Sequence, residues 1–532
     1  MCEPWMSLSN SSSRARSISM AEQWQTVRRH VGQGELDHAA SLLEGMSQQP
    51  AESHETVDIL NGLACVLAAS GHEFQAVAAC ELALRVDPEN SQVNHTFQQL
   101  NAGANLPPIF RRNSDRPLRI AIVSLLFNWP STGGGTVHTY ELAQFLERAG
   151  FTLCHIFAQY ADWQVGNVAG DYGVSHMAVP FAESEWNAPT IRRRIRETVD
   201  RFDPDMVIVT DSWNCKPLLA EAVQGYPYLL RIAAMETLCP LNNVRMLVDA
   251  EGTATSCPKD QLSDPAHCRQ CVATNKNLSG SLHRAERDLA GFDEPDYPHR
   301  LQQAIAAAHA VFVVNPIIAD LVAPHSRCVR VVPSGFDVTR FTTSLISGIR
   351  SGAKKPLQIL FAGLADEFMK GFHILQEAGA VLWSRRQDFE IVATSDPVGR
   401  LNDFTRLMGW QSQADLPRAI ADADILVFPT LAEEALGRSA VEGMACGRPV
   451  VASRIGGLKW VVEHNRTGLL HEPGDVAGLV AALEQLLDDE PLRQRLGLAG
   501  RKKFESDLTW EVILDRHYFP LLSPSLSEVC RS

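Results

Sequence analysis

From residue 119 onward, short apolar runs rich in branched residues recur between helical stretches, and this alternation restricts the chain to very few folds. RIAIVSLLF (119–127), FTLCHIFA (151–158) and DMVIVT (205–210) read as buried strands, and TVHTYELAQFLERAG between the first two reads as a helix ending at Gly150. Strand, helix and strand in that order make a parallel sheet, because parallel pairing needs a long crossover and a helix supplies it. From about residue 300 the pattern repeats in AVFVV, CVRVV, QILFAG, FEIVAT, ADILVFP and RPVVAS. The expected architecture is α/β with two doubly wound parallel-sheet domains, 117–300 and 301–507, and a ligand cleft between them.

Residues 20–104 carry a different period. Residues 57–90 place Leu60, Leu63, Ala64, Leu67, Gly71, Ala76, Ala83 and Pro88 at the small, apolar and terminating positions of a roughly 34-residue helix-turn-helix template. Gly34, Ala39 and Pro50 form a weaker preceding copy. This resembles a tetratricopeptide repeat and predicts an all-α region. Two repeats are fewer than usually stand alone, which favours packing on a neighbouring domain; a docking surface for a protein partner is the functional alternative to a plain helical appendage. Residues 1–19 are Ser-rich without periodicity, read as a flexible leader, with Met20 as a candidate translation start.

A net charge of −14 excludes a broad nucleic-acid surface, which needs clustered Lys and Arg. No apolar run approaches the roughly 18 residues that span a bilayer, and the N-terminus lacks a secretory apolar core, so a cytoplasmic location is expected. Cys65, Cys80, Cys154 and Cys446 sit singly in apolar patterns and read as buried thiols.

Three stretches carry chemistry. NWPSTGGGTVHTYELA sets Gly133, Gly134 and Gly135 at a strand-to-helix turn, where a ligand can approach the backbone and the helix start can face an anion. QILFAGLADEFMKGF sets Lys370 at the mouth of a sheet, a compact charge for a phosphate. EEALGRSAVEGMACG sets Glu434 in a loop and Glu442 in the following helix, eight positions on, with Gly437 leaving the N–H groups of Arg438 and Ser439 free for a diphosphate. The helix's apolar stripe is Ala440, Val441, Met444 and Ala445, which leaves Glu442 off it; Glu433 reads as dispensable.

Together with Gly456–Gly457, NRTGLLHEPGD, VVPSGFDVTRF (331–341) and the closing TWEVILDRHYFPLL, these motifs resemble the retaining family-4 glycosyltransferases over about 117–524. The resemblance implies a GT-B architecture: two Rossmann-like domains, the acceptor on the first, a nucleotide sugar on the second, and a C-terminal helix (508–524) crossing back to complete the first. It implies that Glu434 binds the transferred sugar and Glu442 the ribose. Lys370 and the amides after Gly437 would bind the diphosphate, approached by Gly133 and Gly134 from the other domain. It further implies a hexosyltransferase without a catalytic metal, acting on a glycan, lipid-linked or small-molecule acceptor in cell-surface polysaccharide or glycoconjugate synthesis.

Two positions depart from the family pattern. Leu364 stands where many relatives have Arg, with Arg438 as a substitute contact, and IAAMETLCP lacks a histidine that relatives often carry, with Glu236 as the candidate substitute. Both keep open a catalytically inactive scaffold that binds a protein through its repeats. The same loop starts a Cys-rich insertion (about 239–271): Cys239, Cys257, Cys268 and Cys271 suit a structural zinc site, with redox disulfides or unliganded thiols as alternatives. His267 reads as an exposed loop histidine. In IRRRIRETV (191–199) an apolar face opposes an arginine face, which suits either a solvated helix or peripheral contact with an anionic membrane.

Overall fold

The computed structural model describes residues 20–33, 35–47, 53–69, 73–102, 117–131, 133–170, 172–249, 253–341, 356–396 and 401–522. The 1–19 leader, Gly34, Pro50 and Gly71 lie outside them. The chain divides into two compact units, Met1–Gly103 and Ala104–Ser532.

The first unit is helical, with helices Met20–Gly32, Leu36–Ser47, Ser53–Ala69, Glu73–Val86 and Ser91–Ala102. Leu60, Leu63, Ala64, Ala76 and Ala83, the template positions read from the sequence, are buried, together with Val27, Leu43 and Cys80. Cys65 is exposed rather than buried, because it lies off the helix face that Ala64 and Leu60 turn inward.

The second unit holds two parallel sheets. The first contains β1 (Arg119–Ser124), β2 (Thr152–Gln159), β3 (His176–Pro180), β4 (Met206–Thr210) and β5 (Tyr228–Ile232). A hairpin of β6 (Met246–Val248) and β7 (Ala254–Ser256) follows, and then β8 (Ala310–Val313) and β9 (Val329–Val331). The order of this seven-stranded sheet is β3-β2-β1-β4-β5-β8-β9. The second sheet contains β10 (Leu357–Phe361), β11 (Phe389–Ala393), β12 (Thr405–Leu407), β13 (Ile425–Phe428), β14 (Val450–Ser453) and β15 (Gly468–His471), in the order β12-β11-β10-β13-β14-β15. This is the GT-B architecture, two Rossmann-like domains. Strand order reverses between β1 and β4 and between β10 and β13, which opens a crevice at the carboxyl end of each sheet.

The expected boundary at 300/301 needs correction. AVFVV and CVRVV extend the first sheet: β8 pairs with β5 (Leu229↔Ala310, Ile232↔Val313) and β9 with β8. Both domains alternate strand and helix in the same way, so local pattern says where a strand is but not which sheet takes it.

The chain returns to the first domain at its end. Helix Trp510–Ile513, a π-turn over Leu514–Tyr518 and helix Phe519–Leu522 bury Trp510, Ile513, Tyr518 and Leu521 in the core beside Ile120, Phe145 and Phe312. Phe336 and Trp510 seal the junction: Phe336 N–H donates to Leu508 O (2.9 Å) and Trp510 N–H to Phe336 O (3.1 Å). A side chain at Gly335 would meet the Trp510 ring at 2.4 Å, which accounts for the glycine in PSGF. No described helix is long and apolar enough to cross a membrane.

Candidate active site at the interdomain cleft

On the second domain, the chain leaves β10 through a turn of 3-10 helix, Phe368–Lys370, and enters helix Phe372–Trp383 at Gly371. Gly371 has φ 71°, and a Cβ there would stand 1.9 Å from Pro429 O, so only glycine lets this turn lie against the end of β13. Leu431 N–H and Thr430 Oγ1 both donate to Met369 O, at 2.8 and 2.9 Å, tying the two loops together. The result brings Lys370 Nζ to 2.6 Å from Glu434 Oε1, both side chains partly exposed. The Glu434 carboxylate raises the Lys370 pKa above its ordinary value, against desolvation, so the lysine is held charged.

The Glu434 loop is braced from three sides. Gly457 N–H donates to Glu434 O (2.7 Å), Asn315 Nδ2 of the first domain donates to Ala435 O (2.6 Å), and Gly437, at φ 78°, caps helix Arg438–Ala445. By position, the Arg438 and Ser439 N–H groups have no acceptor within the helix. Gly133 caps helix Gly134–Arg148, and Gly134 faces this region from the first domain: a Cβ on Gly134 would lie 2.9 Å from Arg438 Cδ. Arg438, directly after Gly437, therefore lies against the glycine-rich turn, and the Glu434 loop that pairs with Lys370 runs into the same helix.

Glu442 is placed differently from the sequence expectation. It is off the apolar stripe yet buried, at 3% exposure, because Arg340 and Arg438 cover it. Arg340 Nη2 is 3.9 Å from Glu442 Oε1. Burial raises the Glu442 pKa, and the charges of Arg438 and Arg340 oppose the rise. Arg438 itself is committed across the cleft: its Nη2 donates to Glu141 Oε2 (3.1 Å) and its guanidinium lies over the Phe336 ring.

Glu141 was missed by sequence reasoning. It is buried on helix Gly134–Arg148 and accepts from Arg340 Nη1, Arg438 Nη2 and Trp510 Nε1, each at 3.1 Å. The signal was present, since Glu141 lies four residues after Val137 and four before Phe145, a charge in the middle of a buried face.

On the first-domain side, Asp211 follows β4 with φ 41°, and its Oδ1 would lie 3.3 Å from a Cβ on Gly135. Burial pushes its carboxyl up to about 6. Oδ2 is buried with no hydrogen-bond partner among the described residues. Glu236, the expected substitute for the missing histidine, is not free: it accepts from buried Lys216 Nζ (2.9 Å) and from the N–H groups of Ala233 and Ala234.

The four cysteines of the insertion converge. Cys239, Cys257, Cys268 and Cys271 are free thiols and line one small cavity. Among the described residues, no three His, Cys, Asp or Glu already stand at coordination spacing. His267 is exposed on helix Pro265–Thr274. Glu433 is half-buried, 3.7 Å from Arg245 Nη1 in the β6–β7 hairpin region, so the sequence reading of it as dispensable does not fit its surroundings.

In helix Ala188–Phe202, Ile191, Ile195 and Val199 face the core, while Arg192, Arg193, Arg194 and Arg196 pair with Glu221, Glu197, Glu185 and Asp200. Pairing cancels much of the positive face, which favours the solvated-helix reading over membrane contact.

A profile of the family described as "Glycosyl transferases group 1" matches residues 356–489. The chain is 30% identical over 213 residues to a glycogen synthase of Mycobacterium tuberculosis, covering 38% of this chain and 50% of that one. It is 30% identical over 241 residues to the lipopolysaccharide core biosynthesis glycosyltransferase LpsE of Rhizobium meliloti, covering 43% of this chain and 68% of that one. The match thus spans about half the length of the glycogen synthase. Among solved structures, sucrose-phosphate synthase from Thermosynechococcus elongatus superposes with a TM-score of 0.54 at 18% identity, over 78% of this chain and all of that one, a likeness of fold.

Proposed function

Because the chain belongs to the group 1 glycosyltransferases, we propose that it moves a sugar from a nucleotide-diphosphate donor in the second domain to a hydroxyl acceptor held by the first. One observation carries the reading: Lys370 and Glu434 meet at 2.6 Å beside the helix that starts after Gly437. In the transfer, the bond from the anomeric carbon to the diphosphate oxygen breaks and a bond to the acceptor oxygen forms. The acceptor's proton leaves with the diphosphate. Negative charge gathers on the departing phosphate, where the Lys370 ammonium and the Arg438 and Ser439 amides receive it. Glu434 accepts hydrogen bonds from sugar hydroxyls and orients the ring. Glu442 takes the ribose hydroxyls once Arg340 and Arg438 shift off it, with Gly133 and Gly134 closing over the diphosphate.

On this reading the enzyme is a retaining, family-4-like hexosyltransferase that uses no catalytic metal. Its acceptor is a glycan or lipid-linked sugar of a surface polysaccharide, a class to which the lipopolysaccharide relative's name points. The N-terminal repeats, read as tetratricopeptide-like, serve as a protein-docking surface.

A catalytically inactive scaffold is the second reading. The engagement of Glu236 by Lys216 favours it, as does Leu364 in place of the relatives' Arg. Incubating the full chain with a panel of sugar nucleotides and measuring released nucleotide diphosphate separates the two. Release that Glu434→Ala abolishes supports transfer; no release with any donor and acceptor, while nucleotide still binds, supports the scaffold.

A further inference from the structure

The turn after β5, the end of the β6–β7 hairpin and helix Pro265–Thr274 follow one another in the insertion, and each delivers sulfur to one place. Cys239 comes from the turn, Cys257 directly follows β7, and Cys268 and Cys271 stand three residues apart in the helix. All four line a cavity of about 10 Å³, the room of one water-sized sphere. Polar groups surround the sulfurs. The backbone N–H groups of Asn242, Leu241 and Arg245 point at the Cys239 sulfur. Asn275 Nδ2 lies 3.6 Å from Cys271 Sγ as a further donor. Four thiolates in one pocket repel one another, and a divalent cation removes that repulsion.

We propose that Cys239, Cys257, Cys268 and Cys271 form a closed tetrahedral zinc site. Four soft sulfur donors and no open position define a structural rather than a catalytic centre. Four zinc–sulfur bonds of about 2.3 Å hold the sulfurs roughly 3.7 Å apart. Protonated thiols keep a wider spacing, so metal binding draws the sulfurs in as it displaces four protons.

The site also reaches the sugar-binding loop of the proposed function. Cys257 N–H donates to Arg245 O and Arg245 Nη2 donates to Cys257 O, both at 2.6 Å. The same Arg245 stands against Glu433 across the cleft, and the Ser256 side chain donates to the Glu433 carboxylate. Glu433 adjoins Glu434. Zinc thus anchors the hairpin that holds the Glu434 loop from the first domain, whether or not the chain catalyses transfer.

Elemental analysis of the full chain, purified without chelator or metal-affinity resin, tests the site. The expected result is one zinc per chain, lost at least tenfold in Cys268→Ser/Cys271→Ser. If that variant fails to fold, cobalt exchange into the native chain decides, through the thiolate charge-transfer bands and intense visible absorption of a tetrahedral site. Absent zinc with no cobalt signature, a mapped disulfide among the four cysteines, or stoichiometric iron in zinc's place overturns the proposal. Hydrogen exchange tests the anchor: chelation should raise exchange over residues 431–437, and unchanged protection there overturns the link to Glu433.

Discussion

The Glu141 carboxylate and the Arg438 guanidinium, 297 positions apart, meet at 3.1 Å between the two Rossmann-like domains. The same Glu141 oxygen accepts the Trp510 indole N–H, and its other oxygen accepts Arg340. One buried carboxylate thus ties together the glycine-turn helix, the donor-side helix and the returning C-terminal segment. Arg438 and Arg340 also cover Glu442, so this contact holds the ribose-binding candidate shut.

Glu141→Ala leaves two arginines and an indole N–H without their acceptor in a buried setting. Removing one partner from such a group costs roughly 3 to 5 kcal/mol. A lower urea midpoint, partly restored when Arg438 is also replaced, is the expected outcome. Strict additivity of the two substitutions would show that the contact carries no coupling.

On the proposed transfer, Lys370→Ala removes the cation that meets the departing diphosphate, and turnover should fall by about 100-fold or more. The pair is partly exposed, so its loss should change thermal stability by no more than about 1 kcal/mol. Initial rates of diphosphate release and a melting curve on the same preparation check both halves. A variant with near-native rates removes Lys370 from the mechanism.

Gly371→Ala forces a left-handed backbone and places a methyl group against Pro429 O. It should sharply lower the melting temperature and disable Lys370, one residue before it. Gly150→Ala is the control. At φ 92° with nothing within 4 Å, it bears backbone strain alone, about 1 to 2 kcal/mol.

Asp211 predicts a pH dependence. Burial raises its carboxyl from 3.8 to about 6, so between those values the folded chain binds more protons than the unfolded one, and stability declines as pH rises. Asp211→Asn removes the titration and keeps an acceptor for the Thr139 hydroxyl, which hydrogen-bonds to the Asp211 carboxylate in the native chain. The stability of the variant relative to the native chain should therefore climb from about pH 4 to about pH 6 and then level off. A pH-independent difference in denaturation midpoints would place the Asp211 pKa near its ordinary value.

Much of the fold was legible in local pattern. Branched apolar runs mark β1, β2, β4, β10, β11, β13 and β14, since a strand buried on both faces has to be apolar throughout. The Lys370 and Glu434 turns were legible too, because each depends on a glycine at a fixed offset. Glu141 was hidden in plain view as an acid on an apolar helix face, and its partners Arg340, Arg438 and Trp510 come from three distant segments.

Strand positions, helix periodicity and the glycine turns next to Lys370 and Glu434 follow from the order of side chains, because each rests on the conformation of a few neighbouring residues. Assignment of β8 and β9 to the first sheet, burial of Glu442, and the engagement of Glu236 by Lys216 and of Glu433 by Arg245 rest on contacts between distant segments. Those contacts depend on which surfaces meet when the sheets pack and the C-terminal segment crosses back, and only the folded chain brings them together.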